Sequence, residues 1–125
     1  EMQRSLVGSE MCIRDSPVAS NKYESAVRRI IAHFFPAIEW GAVCGNVEGV
    51  PVKPDPSIVF RVLTACPTPK EQTLYVGDSG VDMETARRAC VDSVGVTWGF
   101  RSAAELRSHF ATWIVNEPSG ILDLV

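Results

Sequence analysis

The stretch from Thr73 to Asp82, TLYVGDSGVD, constrains the fold of this chain more than any other. Residues 74–76 form a short apolar run bounded by a turn signal, as expected of a strand that is buried on both faces. Gly77 then allows a tight turn, and Asp78 follows at the carboxyl end of the strand, where open α/β sheets bind their ligands. The stretch therefore predicts a buried parallel strand that leads into a helix.

A second carboxylate, Asp82, lies in the first turn of that helix, so Asp78 and Asp82 are directed at one small volume. At ~4 Å two like charges repel by roughly 4 kcal/mol at an effective dielectric of 20. A hard cation such as Mg²⁺ would offset this repulsion, and the pair predicts a magnesium site. A purely structural interpretation also fits, because Ser79 and Asp82 match a capping box of the Ser-x-x-Asp type.

The remainder of the chain alternates between strand and helix patterns. Further strands are predicted at 17–20, 42–44, 93–97 and 112–115, and further helices at 23–35, 56–66 and 103–110, with a helical turn after 118. Such alternation favours an α/β fold in which helices cover both faces of a parallel sheet through right-handed crossovers. We expect one three-layer, Rossmann-like domain.

Helical periodicity also predicts which side chains are buried. The first helix should be capped by Asn21, with Glu24 at its third position, and the second should be capped by Asp55. The expected inward faces are Tyr23, Ala26, Val27, Ile30, Ile31, Phe34 and Phe35 in the first helix, Ile58, Val59, Val62, Leu63 and Cys66 in the second, and Met83, Ala86 and Cys90 in the third.

Three polar residues stand at the ends of predicted elements: Ser20 closes the first strand, Lys53 precedes a helix and Asp78 closes the central strand. Carboxyl ends of parallel strands meet at one edge of a sheet, so these side chains can converge there. A hydroxyl, an ammonium and paired carboxylates together suit phosphoryl transfer. Taken singly, Ser20 could be a helix cap and Lys53 a solvated loop lysine.

Composition excludes several classes of function. The net charge of −3 gives no footprint for nucleic acid or an anionic membrane surface, and no apolar run reaches the ~20 residues that span a bilayer. The four cysteines form no Cys-x-x-Cys pair and predict neither a zinc site nor a redox motif. We expect reduced thiols and a cytoplasmic location. The oligomeric state stays open.

Residues 1–16 differ from the rest, since they show neither a helical nor a strand period and no signal-peptide pattern. The run from Leu6 to Asp15 looks like translated adaptor sequence. We expect residues 1–16 to be extraneous or disordered, with an ordinary flexible terminus as the alternative, and residues 17–125 to form the domain.

The motifs of residues 17–125 carry a family resemblance. Ser20-Asn-Lys, Lys53-Pro-Asp-Pro and Gly77-Asp-Ser-Gly-Val-Asp82, in this order, are similar to the second, third and fourth motifs of the haloacid dehalogenase (HAD) superfamily. The run from Val94 to Arg101 resembles its phosphoglycolate phosphatase branch. The resemblance implies a Rossmann-like core and hydrolysis of a small phosphorylated metabolite through an aspartyl-phosphate.

The same resemblance implies a role for each matching residue. The Ser20 hydroxyl and the Asn21 backbone N–H would bind the phosphoryl group, and Lys53 would neutralise it and the covalent intermediate. Asp78 would ligate Mg²⁺, and Asp82 would complete or orient that site.

One motif of the superfamily is missing. Its first motif, Asp-x-Asp-Gly-Thr, supplies the nucleophile and the general acid/base, yet no aspartate here has another two residues later. We therefore expect an incomplete HAD-like core without its cap domain, inactive alone and lacking a central strand. The alternative is a non-catalytic phosphate- or nucleotide-binding module. His33 and His109 are interpreted as structural or solvated, and Trp98 and Arg101 as loop residues that could border the site.

Overall fold

The computed structural model describes residues 2–3, 16–99 and 101–124. The described strands are Met2–Gln3 (β1), Val18–Tyr23 (β2), Val43–Asn46 (β3), Thr73–Gly77 (β4), Asp92–Val96 (β5) and Trp113–Val115 (β6). The described α-helices are Glu24–Phe34 (α1), Ser57–Ala65 (α2), Gly80–Ala89 (α3), Ala103–Ser108 (α4) and Ser119–Leu122 (α5), and a 3₁₀ turn covers Lys70–Gln72.

The strands form two sheets with parallel pairing at their centre. β4, β5 and β6 pair in parallel, as do β2 and β3, which confirms the α/β fold class with parallel strands. The other side of β4 is taken by the two-residue β1, which runs antiparallel to it. β2 and β4 are not joined by a strand ladder among the described residues.

A layer of apolar side chains connects the two sheets where no described ladder joins β2 to β4. It combines β3, α2, β4 and α3, and its buried members are Cys44, Ile58, Val59, Val62, Tyr75, Ala86, Ala89 and Val91. Side chains alternate along a strand, so Leu74 joins Val94 and Val96 in a second cluster instead. The predicted buried face of α2 is confirmed, with Leu63 only partly buried.

The apolar face of α1 is buried less than predicted. Val27 and Ile31 are buried, but Tyr23, Ile30, Phe34 and Phe35 are exposed. α1 packs on β2 and β3, and two strands cover only a narrow stripe of a helix. The prediction for these four side chains is therefore wrong within the described residues.

Two predicted caps have different outcomes. The prediction that Asn21 caps α1 is wrong, because Asn21 lies within β2. The helix begins at Glu24, directly after Tyr23, and has no side-chain cap. Asp55 lies one position before Pro56, which occupies the cap position of α2 without a side-chain cap bond, but the Asp55 carboxylate still binds the first turn by accepting hydrogen bonds from the N–H and hydroxyl of Ser57. Helix and strand ends elsewhere differ from prediction by a few residues.

The prediction that Cys90 lies on the buried face of α3 is also wrong. It is exposed and ends the helix in the left-handed region at φ 62°, with its N–H bonded to the carbonyl oxygens of Ala86 and Arg87. Phe110 follows α4 in the same way at φ 68°. Glycine is the usual residue at such a position because it carries no Cβ.

Among the described residues, no helix combines the length and the apolar character needed to cross a bilayer.

We predict that Cys90→Gly and Phe110→Gly each raise the free energy of unfolding by about 1 kcal/mol, because a left-handed residue with a Cβ is strained by that order. Chemical denaturation measures the change. Alanine at the same positions is the control, since it keeps the Cβ and should give no such gain. Equal stability of the Gly and Ala variants would contradict the prediction.

We further predict that deletion of residues 1–16 lowers the melting temperature by less than about 4 °C, a shift of roughly 1 kcal/mol. The extraneous-segment prediction falls mostly outside the described residues. Met2 and Gln3 do pair with Leu74 and Thr73, but the ladder is two residues long. A larger loss in thermal denaturation would show that the segment belongs to the fold.

Candidate functional site

Lys53 bridges the two sheets at the carboxyl ends of their strands. Its Nζ lies 2.8 Å from Asp82 Oδ1 and 3.4 Å from the carbonyl oxygen of Ala19 in β2. Its backbone N–H donates to Asn21 Oδ1 at 2.9 Å. The Lys53 side chain is 12% exposed. Lys53 is therefore a fixed, mostly buried cation and not a solvated loop lysine.

Asp82 is hydrogen-bonded through both carboxylate oxygens. Oδ1 accepts from Lys53 and from the Tyr75 hydroxyl at 3.1 Å. Oδ2 accepts from the Asp78 N–H at 3.2 Å and the Ser79 hydroxyl at 3.0 Å. Burial opposes ionisation of the carboxyl, but the charge and hydrogen bond of Lys53, helped by Ser79 and Tyr75, outweigh it and hold the pKa of Asp82 below its ordinary value.

Local sequence explains how Asp82 reaches this position. Ser79 caps α3, because its hydroxyl accepts the Asp82 N–H at 3.3 Å, as the capping-box pattern predicts. A Cβ at position 77 would lie only 2.3 Å from the Asp82 Cβ, so Gly77 is required for this close approach. The structural interpretation of the Ser79–Asp82 pair is thus realised in the fold.

Asp78 differs from Asp82 in having an uncommitted carboxylate. No described residue donates a hydrogen bond to it. It faces the loop after β5, where a Cβ at Gly99 would lie 2.2 Å from Asp78 Oδ2. This loop includes Trp98 and Arg101, and their place at the border of the site stays a prediction.

Ser20 and Asn21 belong to β2 and lie next to Lys53. The pairing of β2 with β3 is irregular between Ala19 and Tyr23, so the regular ladder ends just before Ser20. The Ser20 hydroxyl accepts the Lys22 N–H at 3.1 Å. The structure thus brings the Ser20 segment, Lys53 and the Asp78–Asp82 turn to one edge.

Three residues of this region were not predicted from the sequence. Tyr75 was assigned only to a buried strand, yet its hydroxyl binds Asp82. Gly99 and Glu105 contact the Asp78 turn from the loop and helix after β5. The sole sequence signal for Glu105 is its place three residues after Ser102 in a capping-box pattern. His109 lies against Gly80, which fits its structural interpretation.

The carboxylates fit a magnesium ion only in part. Within the described residues, no group of three or more His, Cys, Asp or Glu side chains is placed to hold a metal ion. Mg²⁺ is often bound by one or two carboxylates together with waters and substrate phosphate. Asp78 can supply one such oxygen directly, whereas Asp82 is already committed to Lys53.

Comparison with known proteins places this geometry in context. The family model described as haloacid dehalogenase-like hydrolase matches residues 16–96. A phosphoglycolate phosphatase of Aquifex aeolicus is 27% identical over 113 residues, which cover 86% of this chain and 49% of that protein. A phosphoglycolate phosphatase of Pseudomonas fluorescens is 32% identical over 65 residues, 52% of this chain and 24% of that protein.

Solved structures share the fold. A crystal structure from Lactobacillus delbrueckii subsp. bulgaricus, assigned provisionally as a phosphoglycolate phosphatase, superposes with a TM-score of 0.80 at 33% identity. The match covers 86% of this chain and 44% of that one. The chain spans between a quarter and a half of the length of these relatives.

The lowered pKa of Asp82 gives a prediction about stability and pH. Its ionised form stabilises the fold fully above its ordinary pKa of 3.8, and that contribution is lost as the pH falls through the lower folded value. Asp82→Asn should therefore destabilise the chain at pH 7. The difference in stability between this variant and the wild type should become smaller below about pH 4. Thermal denaturation across this range measures the gap.

Removal of the cation should be costly as well. Lys53→Met leaves a buried carboxylate unpaired and should lower the free energy of unfolding by about 3 kcal/mol at pH 7. The control for both substitutions is Asp123→Asn, which removes an exposed carboxylate and should leave the free energy of unfolding nearly unchanged at any pH. A pH-independent gap for Asp82→Asn would contradict the assigned ion pair.

Proposed function

Because the chain belongs to the haloacid dehalogenase-like hydrolase family, we propose that it provides the phosphate- and metal-binding part of a Mg²⁺-dependent phosphomonoester hydrolase. The proposed substrate is a small phosphorylated metabolite, with 2-phosphoglycolate first among the candidates, given the phosphoglycolate phosphatases among its relatives. The observation that carries the proposal is the position of Lys53 between β2 and α3.

Lys53 can bind a phosphoryl oxygen without leaving its place. A lysine ammonium has three donors, and among the described residues Asp82 and the Ala19 carbonyl accept from two of them. The third is open to an anion. Because Asp82 fixes the ammonium, little side-chain entropy remains to be lost when the anion binds. Lys53 would thus neutralise the phosphoryl group from a preorganised position.

Ser20 and Asn21 would complete the phosphate site. Both directly follow Ala19 in sequence, whose carbonyl oxygen contacts Lys53. The Asn21 side chain binds the Lys53 backbone, which ties the two halves of the phosphate site together. We propose that Ser20 donates its hydroxyl and Asn21 its N–H.

Asp78 would hold Mg²⁺ directly, while Asp82 orients the site through Lys53 and the Asp78 N–H. The ion, when bound, would neutralise negative charge on the phosphoryl oxygens. Further oxygen ligands would come from water, substrate and sequence outside the described residues.

The nucleophile is proposed to lie outside these 125 residues, since no Asp-x-Asp pair occurs among them. Ser20, Lys53 and Asp78 can bind and polarise a phosphate ester. Formation of the aspartyl-phosphate needs a further carboxylate.

We predict that the 125-residue chain alone turns over no phosphomonoester, whereas a protein with an upstream Asp-x-Asp-Gly-Thr segment and a cap domain shows Mg²⁺-dependent release of phosphate. Lys53→Ala in the longer protein should remove most of this activity. Lys70→Ala is the matched control, because Lys70 lies over the Phe60 ring away from the site. Phosphate release from 2-phosphoglycolate and other small esters measures both.

Two results would contradict the proposal. Turnover by the 125-residue chain near the ~10 s⁻¹ typical of enzymes would place the nucleophile within it. A longer protein that binds phosphate but hydrolyses no ester would favour the non-catalytic binding module.

A further inference from the structure

A glutamate of α4 binds the turn that carries Asp78. Glu105 Oε2 accepts the Gly80 N–H at 2.8 Å, across 25 positions of sequence. Gly80 is the first residue of α3, so its N–H is one of the donors that a helix leaves unpaired at its beginning. The partial positive charge of a helix N-terminus also favours a carboxylate there.

Local sequence would favour a different partner for Glu105. The Ser102 hydroxyl caps α4 by accepting the Glu105 N–H at 3.2 Å. A glutamate in this place normally reaches back to the backbone N–H of the cap residue. Here one carboxylate oxygen binds Gly80 instead, and the other lies 3.9 Å from an Arg101 guanidinium nitrogen. A local cap is replaced by a contact with the Asp78 turn.

The same segment contacts this turn at two more points. The backbone of Gly99 lies against the Asp78 carboxylate, where a Cβ would come within 2.2 Å of Oδ2. The ring of His109 lies against Gly80, where a Cβ would come within 2.6 Å of Nδ1. His109 Nδ1 also lies 3.0 Å from the Glu105 carbonyl oxygen. Gly99, Glu105 and His109 therefore contact the turn on both sides of Ser79.

We infer that Glu105 is a positioning residue that fixes residues 77–80 and thereby the direction of the Asp78 carboxylate. The part that concerns the metal rests on the proposed function, whereas the bond to Gly80 does not. A site with one uncommitted carboxylate depends on how firmly that carboxylate is held. Loss of such a supporting group typically weakens metal binding 10–100-fold.

The test compares Glu105→Ala and Glu105→Gln with the wild type by Mg²⁺ calorimetry and by hydrogen exchange of the Gly80 amide. Glu105→Ala should lower Mg²⁺ affinity by about tenfold and speed Gly80 exchange. Glu105→Gln keeps an acceptor oxygen and should restore most of both. Glu84→Ala is the control: Glu84 pairs with Arg87 and Arg88 on the same helix as Gly80 and should alter neither readout.

Each outcome decides one claim. A lower melting temperature in Glu105→Ala with unchanged Mg²⁺ affinity would assign Glu105 to stability alone and overturn the inference, as would unchanged Gly80 exchange. If Glu105→Ala does not fold, Glu105→Asp, one methylene shorter, replaces it. If the wild type binds no Mg²⁺, the proposed metal site is wrong, and Gly80 exchange still decides whether Glu105 holds the turn.

Discussion

The ion pair between Lys53 and Asp82 links two sheets that no described strand joins. An apolar layer centred on α2 connects them on one side, and the Lys53–Asp82 contact connects β2 to the helix that follows β4. Both side chains are 12% exposed, so their mutual attraction must offset a large desolvation cost. It can do so because Tyr75, Ser79 and the Asp78 N–H also bind the Asp82 carboxylate, and the Ala19 carbonyl oxygen accepts from the ammonium.

The same network accounts for the chemistry proposed at this edge. Asp82 is committed to Lys53, which leaves Asp78 as the carboxylate available to a cation and leaves one ammonium donor available to an anion. The two aspartates of one short motif therefore have different hydrogen-bonding environments, although the sequence directed both at one small volume. Glu105 and Gly99 extend the network to α4 and the loop before it, so the Asp78 turn is supported by sequence far beyond the motif.

Local patterns predicted the features that depend on neighbours in sequence. The alternation of strands and helices, the Ser79 cap and the buried face of α2 all follow from short-range spacing. The exposed side of α1 could not be predicted, because periodicity shows that a face is apolar but not whether anything covers it. The Lys53–Asn21 and Glu105–Gly80 hydrogen bonds join residues 32 and 25 positions apart. Local sequence patterns cannot predict contacts between positions so far apart.

The most direct test of the central role of Lys53 is to find where the molecule opens when this cation is removed. Native-state hydrogen exchange on Lys53→Met should show lost protection in β2 and β3, with β4 and β5 still protected by their own ladder and the second apolar cluster. Equal loss in both sheets, or no loss in either, would contradict the claim that this ion pair holds them together.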